Sequence, residues 1–268
     1  QQKPNKMLKE IKFYKYQGAG NDFILIDNRN AEFDSNDHHL IQNLCDRRFG
    51  IGGDGLMLLQ NINNYDFQML YFNADGKEGT MCGNGGRCLV AFARDLGIIT
   101  NDTVFLAVDG RHEASIEDHT VNLGMIDVQE YSMDGDAFVL NTGSPHYVQF
   151  VKDLASKNVY QDGYAIRNNA TYGEKGINVN FIEEEGEGYF VRTFERGVED
   201  ETYACGTGAV ASAMSVALQS RKDGDFTIPI RVIGGQLQIS FHKNGHQFSN
   251  VYLSGPAIQV FEGKINIS

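Results

Sequence analysis

The chain has 268 residues, enough for one large or two modest domains, and 41% of them are hydrophobic, as expected for a globular protein. Its formal charge of −12 argues against nucleic acid and anionic membrane surfaces as partners, and no apolar run approaches the ~18–20 residues of a membrane span. Four cysteines without a CxxC pair give no support to a disulfide scaffold or a metal site, so a reduced, cytoplasmic setting is expected.

Strand-like segments rich in β-branched and aromatic residues dominate the first half of the chain. They are predicted at Ile11–Tyr16, Phe23–Asp27, Leu56–Leu59, Tyr65–Phe72, Thr103–Val108 and Val121–Leu123. Helices are predicted between them at Asn36–Arg48 and Gly85–Leu96.

The second half repeats this composition. Strands are predicted at Ala137–Leu140, Tyr147–Val151, Ile177–Ile182, Tyr189–Phe194, Thr227–Val232, Leu237–Phe241 and Val251–Leu253, with a short helix at Lys152–Val159 and a longer one at Gly208–Gln219. Because strands and helices do not alternate regularly, the pattern favours an α+β fold with mostly antiparallel strands.

A faint internal repeat organises the chain. Met81–Gly85 (MCGNG) and Ala204–Gly208 (ACGTG) each open a predicted helix, and their cysteines lie 123 residues apart. At about the same offset, Gly20-Asn21 corresponds to Gly143-Ser144, and Phe72-Asn73 corresponds to Phe194-Glu195-Arg196. Two related domains are therefore predicted, 1–127 with a returning segment 253–268, and 128–252, each presenting a Cys-Gly-x-Gly turn.

The two turns suit an anionic ligand or a thiolate. Glycines expose the first N–H groups of a helix, where the dipole favours negative charge. A thiol has an ordinary pKa of about 8.5, and a helix N-terminus stabilises an anion by only about 0.3–1 kcal/mol, or about 2 when partly buried. Cys82 and Cys205 therefore need a neighbouring general base, for which His146 and Glu195 are candidates.

A structural interpretation competes with this functional one. A single cysteine before a glycine-rich helix is more often a small buried residue than a catalytic one, and only the pair at equivalent positions reverses that judgement. Cys88 follows Cys82 by six residues, which on a helix places the two on different faces, so Cys88 and Cys45 are predicted to be core residues.

Gly50–Gly55 matches the GxGxxG pattern of dinucleotide-binding proteins. That pattern needs a strand before it and a helix after it, whereas here the predicted helix precedes and the strand follows. Nicotinamide or flavin binding is therefore not expected.

Several motifs together resemble the diaminopimelate epimerases, the cofactor-independent amino-acid epimerases of bacterial lysine and cell-wall synthesis. The motifs that carry the resemblance are Gly18–Phe23 (GAGNDF), Phe72–Gly76 (FNADG), Met81–Gly85, Ser144–His146 (SPH), Asn178-Val179, Glu195–Gly197 (ERG) and Ala204–Gly208. The resemblance implies two pseudo-symmetric domains, each wrapping a mostly antiparallel, barrel-like sheet around a central helix. It also implies that Cys82 and Cys205 act on opposite faces of the substrate α-carbon, without a cofactor.

The same resemblance implies roles for further residues and a homodimer. The reacting carboxylate would be held by Gly83, Asn84, Gly206 and Thr207. The distal amino-acid end would be read by Asn21, Asn73, Asn178, Glu195 and Arg196, while His146 and Glu195 would tune the cysteines. The chain departs from the family pattern at Gly55, where many members have Gln, at Ser144, where Asn is common, and in an acidic segment carrying Glu199, Asp200 and Glu201 with one extra residue.

Other functions remain open on the sequence. A proline or hydroxyproline racemase is the first alternative, against which Asn84 and Arg196 argue. A cysteine-nucleophile acyltransferase would need only one of the two cysteines, and a non-catalytic amino-acid-binding protein would need neither. A redox switch through a Cys82–Cys205 disulfide is compatible with the epimerase hypothesis.

Overall fold

The computed structural model describes residues 9–79 and 81–267, and its secondary structure confirms the predicted α+β class. The strands of the first half are β1 (Lys9–Gly18), β2 (Asn21–Asp27), β3 (Gly55–Gln60), β4 (Gln68–Asn73), β5 (Asp102–Ala107), β6 (Gly110–Glu117) and β7 (Thr120–Gly124). Those of the second half are β8 (Tyr131–Asp134), β9 (Ala137–Asn141), β10 (Pro145–Phe150), β11 (Asn178–Glu185), β12 (Gly188–Glu195), β13 (Asp200–Thr202), β14 (Gly224–Val232), β15 (Gly235–Asn244), β16 (Gln247–Pro256) and β17 (Ile258–Ile267). The α-helices are α1 (His38–Cys45), α2 (Gly83–Asp95), α3 (Val159–Arg167) and α4 (Gly206–Ser220).

The described residues form two compact units. The first lies within Gln1–Gly18, Asp22–Glu113 and Ala257–Ser268, and the second consists of Ala19–Asn21 and Ala114–Pro256. Within the described part of the chain, no helix is long and apolar enough to cross a membrane.

The first unit surrounds helix α2 with strands. β1 pairs antiparallel with β17, β2 pairs parallel with β3, and β3 pairs antiparallel with β4. Helix α2 packs against β1, β3 and β17, and nearly all of its side chains are buried. Gly85 allows this close packing, because a Cβ there would collide with the end of the Met57 side chain on β3.

The second unit surrounds helix α4 in the same way. β14, β15 and β16 form an antiparallel meander, while β10 pairs parallel with β11 and antiparallel with β9. Helix α4 contacts all six of these strands and β12, and its many Ala, Gly and Ser residues keep it thin enough to be enclosed. The predicted arrangement of mostly antiparallel strands around one central helix is confirmed in each unit.

The prediction of a short helix at Lys152–Val159 is wrong. Only Leu154–Ser156 forms a single 3₁₀ turn, and Lys157 after it is extended. The α-helix begins at Val159, because the side chain of Asn158 caps it by accepting a hydrogen bond from the Gln161 N–H at 3.0 Å.

Candidate active site

Both repeated cysteines are N-cap residues of the central helices, as the repeat predicts. Cys82 precedes α2 with φ −108° and ψ 120°, and Cys205 precedes α4 with φ −120° and ψ 111°. The carbonyl of Cys82 accepts from the Gly86 N–H at 2.7 Å, and that of Cys205 accepts from the Ala209 N–H at 2.9 Å. Each thiol therefore stands where the positive end of a helix dipole favours an anion.

His146 connects to Cys205 through one hydroxyl. Its Nε2 lies 2.9 Å from Thr207 Oγ1, which in turn lies 3.6 Å from Cys205 Sγ. Thr142 Oγ1 donates to the Thr207 carbonyl at 2.8 Å, which fixes the first turn of α4 beside the imidazole.

Asn180 determines where the His146 proton resides. The Asn180 amide nitrogen donates to the Tyr147 carbonyl at 3.1 Å and lies 3.0 Å from His146 Nδ1, while its oxygen accepts from Thr193 Oγ1 at 2.9 Å. Because a backbone carbonyl can only accept, the amide orientation is settled, and His146 Nδ1 must be an acceptor. The neutral imidazole therefore carries its proton on Nε2.

His146 is neutral at physiological pH. It is fully buried, and this burial, with the charge of Arg196 adding to it, lowers the pKa of the imidazole to about 3. A neutral Nε2–H group donates to Thr207 or to Ser144, whose Oγ lies 3.0 Å away. The Thr207 hydroxyl proton can then point at Cys205 Sγ.

Asn178 ties the Glu195–Gly197 turn to the Ser144–His146 segment. Its amide nitrogen donates to Ser144 Oγ at 2.9 Å and to the Pro145 carbonyl at 3.0 Å, and its oxygen accepts from the Arg196 N–H at 2.9 Å. Ser144 therefore occupies the centre of this network, with Thr207 Oγ1 at 3.4 Å. The structure brings these sequence-predicted residues together within the second unit.

Glu195 and Arg196 are neighbours in one turn, but their side chains bond to different partners. Glu195 accepts from Thr202 Oγ1 at 2.9 Å, and the Arg196 guanidinium donates to the Lys175 carbonyl at 3.1 Å. Arg196 is solvent-exposed and Glu195 is half-buried, an arrangement that suits a cation able to meet a ligand from water.

The acidic segment beyond this turn is structural. Glu201 forms a two-pronged ion pair with Arg192 at 2.6 and 2.7 Å. Glu199 accepts from Arg167 Nε at 3.2 Å. Both acids are thus bound to arginines outside the cysteine motif.

In the first unit, Asn84 follows Cys82 by two residues, as Thr207 follows Cys205. Asn84 is buried, and its oxygen accepts from Arg87 Nη2 at 2.9 Å. Asn73 is the exposed last residue of β4, and its N–H donates to the Lys77 carbonyl at 2.9 Å. Asn21, which opens β2, is half-buried and belongs to the second unit.

Tyr71 occupies the space beside Gly55. A Cβ at Gly55 would lie 2.5 Å from the Tyr71 ring and 2.5 Å from the Phe72 carbonyl oxygen. Gly79 makes room on the other side of the same ring, where a Cβ would lie 2.6 Å from it. Tyr71 thus takes the place that a longer residue at 55 would fill.

Cys45 and Cys88 are core residues, as predicted. Both are buried, and burial raises the pKa of each thiol to about 12. Among residues 9–79 and 81–267, no cluster of His, Cys, Asp or Glu could hold a metal ion. The context of Gly50–Gly55, between α1 and β3, is also confirmed as the reverse of a dinucleotide-binding turn.

Sequence reasoning missed Asn180, Thr142, Thr193 and Arg87. The signal for Asn180 was present, because Asn178 and Asn180 are two residues apart and therefore share one face of β11. For Arg87, the signal was an arginine placed directly before the apolar run Cys88–Ala93 of the same helix. The two threonines carry no pattern that distinguishes them from surface residues.

Comparison with known proteins adds family information to this geometry. The family model described as diaminopimelate epimerase matches residues 13–132 and 138–260. A diaminopimelate epimerase from Flavobacterium psychrophilum is 50% identical, over 95% of this chain and 100% of the relative. One from Chlorobaculum tepidum is 41% identical, over 93% of this chain and 99% of the relative.

Solved structures show the same fold at low sequence identity. A phenazine biosynthesis protein of the PhzF family from Bacillus anthracis has a TM-score of 0.75 at 14% identity, covering 97% of this chain and 100% of that chain. A hydroxyproline epimerase from Agrobacterium vitis has a TM-score of 0.68 at 13% identity, covering 96% of this chain and 93% of that one.

Proposed function

The chain belongs to the diaminopimelate epimerase family, and from that premise we propose that Cys82 and Cys205 are the two bases with which it inverts an α-carbon of LL-diaminopimelate to give the meso isomer. The epimerase activity and its role in lysine biosynthesis follow from the family match and from several relatives of the same name. What is proposed here is the chemistry of this chain's own residues.

The observation that carries the proposal is the equivalence of the two cysteines. Each is the N-cap of a buried helix with nearly the same backbone angles, and each is followed by glycine. One thiolate removes the α-proton and becomes a thiol, while the other thiol gives its proton to the opposite face and becomes a thiolate. A single fixed base would return the proton to the face it left, so inversion favours two.

The carbanion formed in this step needs stabilisation by the protein. We assign the reacting carboxylate to the N–H groups of Gly83, Asn84, Gly206 and Thr207 and to the Asn84 side-chain amide, where helix dipoles favour added negative charge. These donors are ordered before reaction, so little reorganisation is required as charge develops. No cofactor enters this proposal.

His146 acts on Cys205 as a hydrogen-bond donor rather than as a proton carrier. A ring with a pKa of about 3 does not take up the thiol proton at neutral pH. Its Nε2–H group instead orients the Thr207 hydroxyl, whose own proton then stabilises a thiolate on Cys205. Glu195, held by Thr202, is the second tuning residue proposed.

The distal amino-acid end of diaminopimelate carries both an ammonium and a carboxylate. We propose that Glu195 and Arg196 meet these charges, since Arg forms paired hydrogen bonds with carboxylates. Asn21, Asn73 and Asn178 complete the distal set. Asn178 supports it best, because its side chain fixes the backbone of Arg196.

Three wider predictions accompany this function. The domains are 1–127 with 253–268 and 128–252, and each contains one cysteine-capped helix. The enzyme is a homodimer. It works in the cytoplasm, where both thiols stay reduced.

The function is tested by proton NMR of LL-diaminopimelate with the enzyme in D2O under reducing conditions. We expect loss of the α-proton signal and appearance of the meso isomer, with neither in the Cys82→Ala control and none with L-proline. Exchange of proline instead would favour a proline racemase. Tight binding of diaminopimelate without any exchange would favour an amino-acid-binding protein.

A further inference from the structure

Arg87 is a fully buried arginine on α2, five residues after Cys82. Its Nη2 donates to Asn84 Oδ1 at 2.9 Å, and its Nη1 donates to the Gly83 carbonyl at 3.3 Å. Its Nε has no hydrogen-bond partner among the described residues, and no carboxylate of the described residues forms an ion pair with it. Arg87 is therefore a buried charge whose hydrogen-bond acceptors are both neutral oxygens.

Such a charge is costly unless an anion accompanies it. Burial lowers the pKa of Arg87, but an arginine stays protonated in proteins. The thiols of Cys82 and Cys88 are the groups whose ionisation would favour the cation. Cys88 is fully buried, and burial raises its pKa to about 12. Cys82 is only half-buried, and Arg87 reaches the carbonyl of Gly83, the residue that follows it, so Cys82 is the thiol that the Arg87 charge can favour as an anion.

The second unit has no such cation at the equivalent place. Counting five residues from Cys205 reaches Val210, a buried apolar residue of α4. There the residue two after the cysteine, Thr207, bonds to the neutral imidazole of His146. The two cysteines thus share backbone geometry but differ in charge environment.

Arg87 also fixes the orientation of the Asn84 side chain. A guanidinium only donates hydrogen bonds, so the atom facing it must be the amide oxygen of Asn84. The amide nitrogen consequently lies on the other side of the side chain. That is the donor which a substrate carboxylate requires.

We propose that Arg87 is a positioning residue for the first half of the epimerase site, favouring the Cys82 thiolate by its charge and holding the Asn84 amide for the substrate carboxylate; this inference rests on the proposed function. Cys82 is then the thiolate of the resting enzyme, and Cys205 is the thiol.

Other charged groups around α2 do not replace Arg87. From β1, Tyr16 donates to Asp95 near the far end of the helix at 2.6 Å, and Lys15 pairs with Asp22 of β2 at 2.7 Å. β17 offers Glu262 and Lys264, which pair with Lys12 and Glu10 of β1, and β3 carries no titratable side chain. Asp22, which also pairs with Arg47, is the carboxylate whose charge reaches as far as Cys88.

The test measures how fast iodoacetamide alkylates Cys82 as a function of pH, in the Cys205→Ala background, with the labelled peptide identified by mass spectrometry. Cys45 and Cys88 do not compete, because both are buried thiols with raised pKa values. Arg87→Met removes the charge, Arg87→Lys keeps it without the forked hydrogen bonds, and Leu89→Met is a matched buried control on the same helix.

We expect Arg87→Met to slow the alkylation of Cys82 at pH 7 by about tenfold or more, since a nearby opposite charge lowers a pKa by about 1–3. Arg87→Lys restores the pH midpoint, whereas Leu89→Met leaves it unchanged. With Cys205 intact, Arg87→Lys raises KM more than it lowers kcat, because Asn84 loses its support. A folded Arg87→Met variant with the parental midpoint would overturn the proposal.

A comparison that needs no change at Arg87 guards against a variant that fails to fold. Cys82 in the Cys205→Ala protein should ionise at lower pH than Cys205 in the Cys82→Ala protein. An equal or reversed order overturns the proposal. Because alkylation needs no substrate, wild-type protein inert toward diaminopimelate would refute the proposed function while these thiol measurements still decide the role of Arg87.

Discussion

The buried imidazole of His146 makes a prediction about stability against pH. Its pKa is about 3 in the folded protein and about 6.5 in an unfolded chain. Between these values the unfolded chain binds a proton that the folded protein does not. Stability therefore falls as pH falls below about 6.5, and it continues to fall until about 3.

The size of the effect follows from the proton balance. Each pH unit inside the window costs about 1.4 kcal/mol, and the curve is shallower near 6.5. Lowering the pH from 7 to 5 should therefore remove about 2 kcal/mol of folding free energy through His146 alone. The ring is fully buried, so solvent does not screen this effect.

The assay compares wild type with His146→Gln, which keeps a side chain able to hydrogen-bond but cannot titrate. The free energy of unfolding is measured by urea titration at pH 7 and pH 5 under reducing conditions. Every other titrating group contributes to both proteins, so the difference isolates His146. The variant should lose about 2 kcal/mol less than wild type between the two pH values. Equal losses would refute a neutral, buried His146.

Two further predictions concern glycines. Gly208→Ala should reduce kcat and lower the free energy of unfolding by about 1–3 kcal/mol. The reason is that the added Cβ would collide with Asn180 Oδ1 and lie 3.3 Å from Cys205 Sγ. Unchanged kinetics and unchanged urea unfolding would contradict this close approach. Gly55→Gln should lower the thermal midpoint because the Tyr71 ring fills the space, whereas Gly55→Gln combined with Tyr71→Ala should recover part of that loss. Strict additivity of the two changes in a double-mutant cycle would show that they do not share one volume.

Much of the fold could be predicted from local pattern alone. Helix α4 was predicted at Gly208–Gln219 and spans Gly206–Ser220. The prediction succeeded because a long run of small and apolar residues after a glycine turn is typical of a buried helix. Helix α3 was missed, since Gly163 interrupts its pattern. A side chain at this position would collide with Phe194 of β12, so the site requires glycine. This contact joins residues distant in sequence, and the local sequence therefore cannot predict it.

In the candidate site, too, local patterns could be predicted and contacts between distant residues could not. Cys82 and Cys205 could be found because the repeat places each before a glycine-rich helix. The environment of each thiol could not, because it depends on residues distant in sequence. Thr207 and His146 are 61 residues apart, yet their side chains lie 2.9 Å from each other.

The most direct test of the central claim is the isotopic content of the first few per cent of product formed from LL-diaminopimelate in D2O. Two opposed cysteines predict meso product with deuterium at the inverted carbon, while the remaining LL substrate keeps its protium. A single base that serves both faces predicts protium carried into the product. Meso product that retains the original α-proton would contradict the account in which Cys82 and Cys205 share the reaction.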